Sequence, residues 1–252
     1  MVRIAPRGSL VLMYHRLGLL RAGSICRQQY TLPGVLRRQI VALLAQGFRA
    51  STALDMVSDP ARVNGYFSMT FDDGFASVYR YGLPLFREFG TPATVFVTVN
   101  GIGTRNSWDI REGDCGEPML SVEQLRELAE AGCEIAAHTL SHPHLTKLPD
   151  AELHAELADA RHKLEDLLSR PVLGFAYPYG DYDTRVCEAV AAAGYRYAVT
   201  CRQGVLVPTS DPFVLPRLNI RWNTLPYFLL RRIRAVYGKQ EKNPPERKGI
   251  TR

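Results

Sequence analysis

Short apolar runs alternate with longer amphipathic stretches along almost the whole chain. Runs rich in β-branched and aromatic residues occur at 9–14, 67–71, 93–99, 133–137, 172–177, 197–200 and 214–220, and each has the length of a strand. Between them apolar residues recur at helical spacing. Leu36, Ile40, Leu43 and Leu44 share one face of a helix expected over 32–46, and Leu153, Leu157, Leu164 and Leu168 share one face over 149–168. A helix over 76–89 has to bend or break at Pro84. Ser121 and Gln124 open another helix as a capping box, and Gly132 closes it. A further helix over 184–193 ends at Gly194. Strands alternating with helices imply a parallel sheet. No Gly-x-Gly-x-x-Gly follows the first strand, so a dinucleotide-binding sheet has no support. The expectation is an α/β fold, a distorted (β/α) barrel of about seven parallel strands in a single domain over 1–237, with a basic, disordered tail at 238–252.

The length of 252 residues and 46% hydrophobic content allow one sizeable core. No apolar run reaches the eighteen or so residues of a membrane span, and the run at 9–14 reads as a first strand rather than a signal peptide. The five cysteines, Cys26, Cys115, Cys133, Cys187 and Cys201, are odd in number and scattered. They read as reduced thiols and favour a cytoplasmic location. The formal charge of +6 is uneven. Ten Lys/Arg against two Glu from Arg217 to the end give +8, which leaves −2 for the preceding 216 residues.

The chemistry-bearing residues sit where strands hand over to loops. Asp72 and Asp73 precede Gly74 after the second strand, and His138-Thr-Leu-Ser-His142 follows a later one. Two imidazoles and one carboxylate can hold a divalent transition ion and leave positions open, while a spare carboxylate can act as a base. The spacing does not say which aspartate is the ligand. Alone, Asp-Asp-Gly reads as a turn. His15 and Tyr179 also fall just past strand ends, the face on which (β/α) barrels carry their chemistry.

Thr70-Phe-Asp-Asp-Gly74, His138-Thr-x-x-His142 and Ala176-Tyr-Pro-Tyr-Gly180 occur in this order, and together they are specific. From about Ser9 to Ile220 the chain resembles the polysaccharide deacetylase family, also called the NodB-homology domain or carbohydrate esterase family 4. The resemblance implies that Asp73, His138 and His142 hold one divalent ion, Zn2+ or else Co2+, Ni2+ or Fe2+. It implies that Asp72 is the general base and that the Tyr179 backbone N–H is the oxyanion donor. Many members carry an arginine that orients the base where this chain has Ala176, and a late histidine that protonates the leaving amine, whereas no histidine follows His162 here. The start Leu12-Met-Tyr-His15 is similar to the branch acting on poly-N-acetylglucosamine exopolysaccharides, which makes His15 the candidate acid.

The implied reaction removes N-acetyl groups from an N-acetylglucosamine-type glycan or lipid-linked oligosaccharide, giving free amine and acetate. Alternatives are O-deacetylation, a metal-dependent hydrolase of small C–N substrates such as cyclic ureides or imides, and a weakly catalytic sugar-binding module. Trp108, in the long loop 100–119, could stack on a sugar or serve as an apolar lid contact. His144 is read as lying beside the ligands or in solvent, and His154 and His162 as surface residues. A terminal amphipathic helix places Leu225, Phe228, Leu229, Ile233 and Val236 opposite Arg231, Arg232 and Arg234. It could pack on the barrel or touch an anionic membrane surface as a peripheral contact. The basic stretch lacks a reading motif, so no nucleic-acid partner is expected, and the chain is read as a monomer.

Overall fold

A computed structural model describes residues 3–242. The strands are β1 (Leu10–Tyr14), β2 (Arg16–Leu17), β3 (Tyr30–Thr31), β4 (Arg49–Ala50), β5 (Tyr66–Phe71), β6 (Ala93–Val97), β7 (Glu134–Ala137), β8 (Gly174–Ala176), β9 (Tyr197–Val199) and β10 (Leu218–Asn219). Seven of them form one parallel sheet in the order β10-β1-β5-β6-β7-β8-β9, with β4 added beside β5 and β2-β3 as a separate ribbon. A parallel bridge between Val199 and Leu215 brings β9 to the segment that leads into β10. The sheet thereby curls into the distorted (β/α) barrel expected from the sequence. The last strand is shorter than the apolar run at 214–220, because Pro216 has no N–H to give a ladder.

Period-two alternation decides which side chains face where. Leu10, Leu12 and Tyr14 of β1, Phe67, Met69 and Phe71 of β5, and Val95 and Val97 of β6 join the large core beneath the helices. The alternate residues Val11, Phe96, Ala136, Ala176 and Tyr197 form a second cluster with Val199 and Leu215. Both faces are thus buried, as a parallel sheet requires.

The helices are α1 (Pro33–Ala45), α2 (Ala53–Ser58), α3 (Leu83–Phe89), α4 (Ser107–Arg111), α5 (Val122–Glu130), α6 (Asp150–His154), α7 (Ala160–Leu168), α8 (Thr184–Ala192) and α9 (Pro226–Lys242). The capping box of α5 is present: the Gln124 N–H donates to Ser121 Oγ, and the Ser121 N–H to Gln124 Oε1. The break expected at Pro84 takes the form of a π-helical turn, Val78–Gly82, which leaves Pro84 in the first turn of α3. A second π-helical turn, Ala155–Asp159, joins α6 to α7 within the expected long helix. In α1, Leu44 is exposed and Gln39 is buried, because Gln39 accepts from the Tyr14 hydroxyl (2.8 Å) and donates to the Thr224 carbonyl.

The terminal helix differs from its sequence pattern. Leu229, Leu230, Ile233, Val236 and Tyr237 are buried, whereas Leu225 and Phe228 are 44% and 46% exposed. The helix also continues through Lys242, so residues 238–242 are not frayed. The rest of the expected tail lies outside the described residues. Among the described residues no helix is long and apolar enough to cross a membrane. All five cysteines are free.

Candidate active site

Asp72 and Asp73 leave the end of β5 on a tight turn. Asp73 has φ +74° and Gly74 φ +90°. A side chain at position 74 would be strained by that angle and would press on Val97 Cγ1 at 3.2 Å. Thr139, His142 and Tyr179 also have positive φ. Four left-handed non-glycine residues gathered here mark a site where backbone strain is held by its surroundings.

The histidine loop begins at the exit of β7, where the His138 N–H donates to the Val97 carbonyl (2.9 Å). Glu156, on the π-helical turn between α6 and α7, accepts from the Leu140 N–H (2.8 Å), the Ser141 N–H (3.0 Å) and the Ser141 hydroxyl. The His142 N–H donates to Thr139 Oγ1 (2.9 Å). The loop is therefore clamped at three points between its two imidazoles. A single-turn π segment often marks such a functional position, and nothing local in the sequence flagged Glu156.

Nε2 of His138 and Nε2 of His142 each lie 3.4 Å from Asp73 Oδ1. These three residues are buried and form a group that could hold a metal ion. The separation fits that role, since ligands about 2.1 Å from a tetrahedral ion stand roughly 3.4 Å apart. The chemistry of the donors agrees. His138 Nδ1 is 2.7 Å from the Ala176 carbonyl and donates to it, which orients the ring with Nε2 toward Asp73. Burial lowers the His142 imidazole against the pull of Asp73, so it favours its neutral, ligating form. Burial pushes the Asp73 carboxyl up, but its contacts with the two imidazoles outweigh this and hold it well below the usual range.

Asp72 is 3% exposed, and its partner is Arg217, which is 1% exposed. The guanidinium donates to Oδ1 at 2.6 Å and to Oδ2 at 2.7 Å, in a bidentate fork. Arg217 also donates to the Thr70 hydroxyl (3.1 Å) and the Thr200 carbonyl (2.9 Å). Burial raises the Asp72 carboxyl, and the charge and hydrogen bonds of Arg217 more than reverse that, so it stays ionised. Sequence reasoning missed this residue. It had noted Ala176 where relatives carry an arginine, and no late histidine in 215–220. The arginine in that late segment was the available signal. Arg217 lies over the Phe96 ring (5.8 Å), in the same cluster as Ala176, so the guanidinium enters the barrel from the segment just ahead of β10.

His15 follows β1 and is half-buried, with Nδ1 unpartnered. Burial lowers its pKa, and Asp73 and Asp72 oppose that shift. Tyr179 sits in the turn Pro178–Gly180 with φ +59°. A side chain at Gly180 would overlap Cys201 at 2.8 Å. The Tyr179 ring stacks on His144 (4.2 Å between centroids) and meets His142 edge-on (4.6 Å). His144 stays part-exposed beside Asp181 (3.6 Å), and His154 and His162 are exposed.

Trp108 is 3% exposed and stacks on the His142 ring at 4.9 Å. It packs with Phe75 and Met119 in a small apolar cluster and also lines the site cavity. Next to it, Asp109 and Asp114 clasp the buried Arg16, which ties the 100–119 loop to β2. His15, Asp72, Asp73, His138, His142 and Tyr179 all line one cavity of about 440 Å³.

Residues 62–198 match the polysaccharide deacetylase family model, and the chain belongs to that family. It is 26% identical over 161 residues to the poly-β-1,6-N-acetyl-D-glucosamine N-deacetylase of Staphylococcus epidermidis, covering 60% of this chain and 53% of that protein. With the enzyme of the same name from Staphylococcus aureus it is 24% identical over 182 residues, covering 69% and 60%. The chain thus spans little more than half the length of these curated relatives. Its fold matches the Streptococcus pyogenes deacetylase PplD in complex with acetate, with a TM-score of 0.75 at 21% identity over 90% of this chain and 98% of that one. It also matches IcaB from Ammonifex degensii, with a TM-score of 0.76 at 24% identity over 89% and 97%.

Proposed function

We propose that the chain removes N-acetyl groups from an N-acetylglucosamine-type glycan, consuming one water and giving acetate and a free amine. The observation that carries this reading is the pairing of two devices in one cavity: the Asp73, His138 and His142 donor set, and Asp72 held ionised by Arg217. The names of the staphylococcal relatives support the substrate class.

Asp73, His138 and His142 would hold one divalent ion, which we assign as Zn2+, with Co2+, Ni2+ and Fe2+ also suited to these donors. When bound, such an ion makes water more acidic and polarises a carbonyl. Asp72 takes a proton from the attacking water. Each of its oxygens accepts one N–H from Arg217 and keeps a further lone pair for that task. Arg217 fixes the carboxylate plane and stops it swinging toward the imidazoles. The Tyr179 N–H donates to the carbonyl oxygen as that oxygen gains negative charge. His15 gives a proton to the departing nitrogen, and nothing competes for its Nδ1. Trp108 backs the His142 ring and keeps water from that side.

The test is the product balance with oligomers of N-acetylglucosamine, including β-1,6-linked ones, in protein loaded with one equivalent of Zn2+. Acetate and primary amine should appear one to one, and a chelator should stop both. Acetate without amine would mean ester cleavage. No acetate from any oligomer would remove the proposal.

A further inference from the structure

The active-site cavity continues into a second one of about 650 Å³. Cys201, Asn219 and Arg221 line both, and Arg217 lines the second. The wall beyond them is the turn 221–224 and one side of α9, where Arg231 and Arg232 face inward. The turn is fixed at three points. The Arg221 N–H donates to Thr224 Oγ1 (3.0 Å), the Thr224 N–H returns to the Arg221 carbonyl (2.8 Å), and Gln39 of α1 donates to the Thr224 carbonyl.

The charge balance of this second cavity is one-sided. Among the described residues no acidic one lines it. Arg217 is neutralised by Asp72, but Arg221, Arg231 and Arg232 have no carboxylate partner among the described residues. Arg232 is half-buried and fixed by one bond to the Asn219 carbonyl (2.7 Å), which leaves its other N–H groups free. Burial and the neighbouring Arg221 both work against its charge. Arg221 and Arg231 are exposed, so solvent screens part of the repulsion among the three, and an anion placed among them relieves the rest. Forked guanidinium donors arriving from a turn and from a helix suit a tetrahedral, multiply charged oxyanion better than a planar carboxylate, which one fork already satisfies. Asn219, Asn223 and Gln203 add neutral donors around the rim.

We propose that this cavity is a subsite for a phosphate group carried by the glycan, next to the sugar that loses its acetyl group. The proposal rests on the deacetylase reading of the adjoining cavity. The phosphate can sit on a sugar of the chain or join the sugar to a carrier; the chemistry recognised is the same.

The experiment has three arms. Inorganic phosphate is titrated calorimetrically into the full chain and into Arg221→Gln and Arg231→Gln. Asp73, His138 and His142 are unchanged in all three, so phosphate drawn to a metal there contributes equally. Binding should weaken at least about tenfold in the variants and fall with salt in the wild type. Equal affinity in all three proteins, or no binding to the wild type, overturns the subsite. In the second arm, acetate release is compared for an N-acetylglucosamine tetramer and the same tetramer bearing a reducing-end phosphate. The phosphorylated oligomer should be preferred about tenfold or more through KM, and Arg231→Gln should bring the ratio toward one. A wild-type ratio of one, with both oligomers turned over, overturns the subsite and leaves the deacetylase standing. Silence on both oligomers removes the deacetylase reading instead, and phosphate titration still decides whether the cavity takes phosphate. The third arm compares phosphatidylglycerol with phosphatidylcholine vesicles. Arginine-dependent sedimentation with the anionic vesicles, without any preference between the oligomers, assigns the cavity to lipid headgroups and overturns the substrate phosphate.

Discussion

Replacing Arg217 by Met removes two short charge-assisted hydrogen bonds from Asp72 and leaves that carboxylate buried beside no other arginine contact. Such bonds contribute about 1.5–3 kcal/mol each, and breaking a buried pair from one side costs about 3–5 kcal/mol. The variant should therefore be destabilised by about 3 kcal/mol or more near neutral pH, read by urea unfolding. The sign with pH follows from Asp72. In the wild type its folded pKa lies below the ordinary value, so the pair stabilises above that value and is lost as pH falls through the folded one. Without Arg217 only His15 and His138 oppose burial, so the folded pKa rises and the penalty grows as pH rises through it. The acid limb of the kcat/KM profile should shift upward for the same reason, and turnover at pH 7 should fall by about 10²–10⁴ as the base loses its orientation. Arg217→Lys should recover part of the stability but little of the rate, since an ammonium cannot form the fork. The decisive assay is the double variant with Asp72→Asn. If Arg217 acts through Asp72, the pair loses no more rate than Asp72→Asn alone. Additive losses, or an Arg217→Met acid limb identical to wild type, would refute the assignment.

His15→Ala should lower turnover by roughly 10² or more with metal content unchanged, measured by steady-state kinetics and elemental analysis; near-normal turnover takes His15 out of the mechanism. Asp73→Asn should weaken metal binding at least about a hundredfold, more than the 10–100-fold typical of losing an outer partner, by competition with a chelator. Asp114→Asn leaves the buried Arg16 with one carboxylate fewer and should cost about 3 kcal/mol in denaturant unfolding at pH 7. Although burial opposes it, the hydrogen bond from Arg16 holds the Asp114 carboxyl at about 2, so its stabilisation is full above the ordinary carboxylate value and is lost as pH falls toward 2. The gap between wild type and Asp114→Asn should accordingly narrow in acid, and a constant gap from pH 7 to pH 2.5 would contradict this.

Much of the molecule was legible in the chain because the relevant signals are local. Period two in the strand runs, period 3.6 in 32–46 and 149–168, the Ser121 and Gln124 box and the glycines after helices each specify a few neighbouring torsions, and they reappear in the structure apart from the exposed Leu44 and the π-helical turn within 149–168. The six candidate site residues were found together for a related reason: they follow strand ends, and a parallel barrel brings every strand end to one face. The terminal helix was read less well. Its pattern admitted Leu225 and Phe228 to the apolar side, but the packed stripe runs through Leu230 and Tyr237 instead.

By itself the sequence determined the strand and helix order, the barrel class and the set of candidate donors, since short-range torsional preference and motif spacing are written in adjacent residues; the split of roles between Asp72 and Asp73 came from the family resemblance. Only the tertiary structure decided which charge holds Asp72, what covers His142, what clamps the histidine loop and where Arg231 and Arg232 of α9 point. Arg217 and Asp72 are 145 positions apart and meet because β10 and β5 flank β1. Glu156 reaches the loop because a π-helical turn faces it toward β7. Such pairings depend on strand order and on which face each side chain takes. Those are properties of the curled sheet as a whole, and no window of the chain contains them.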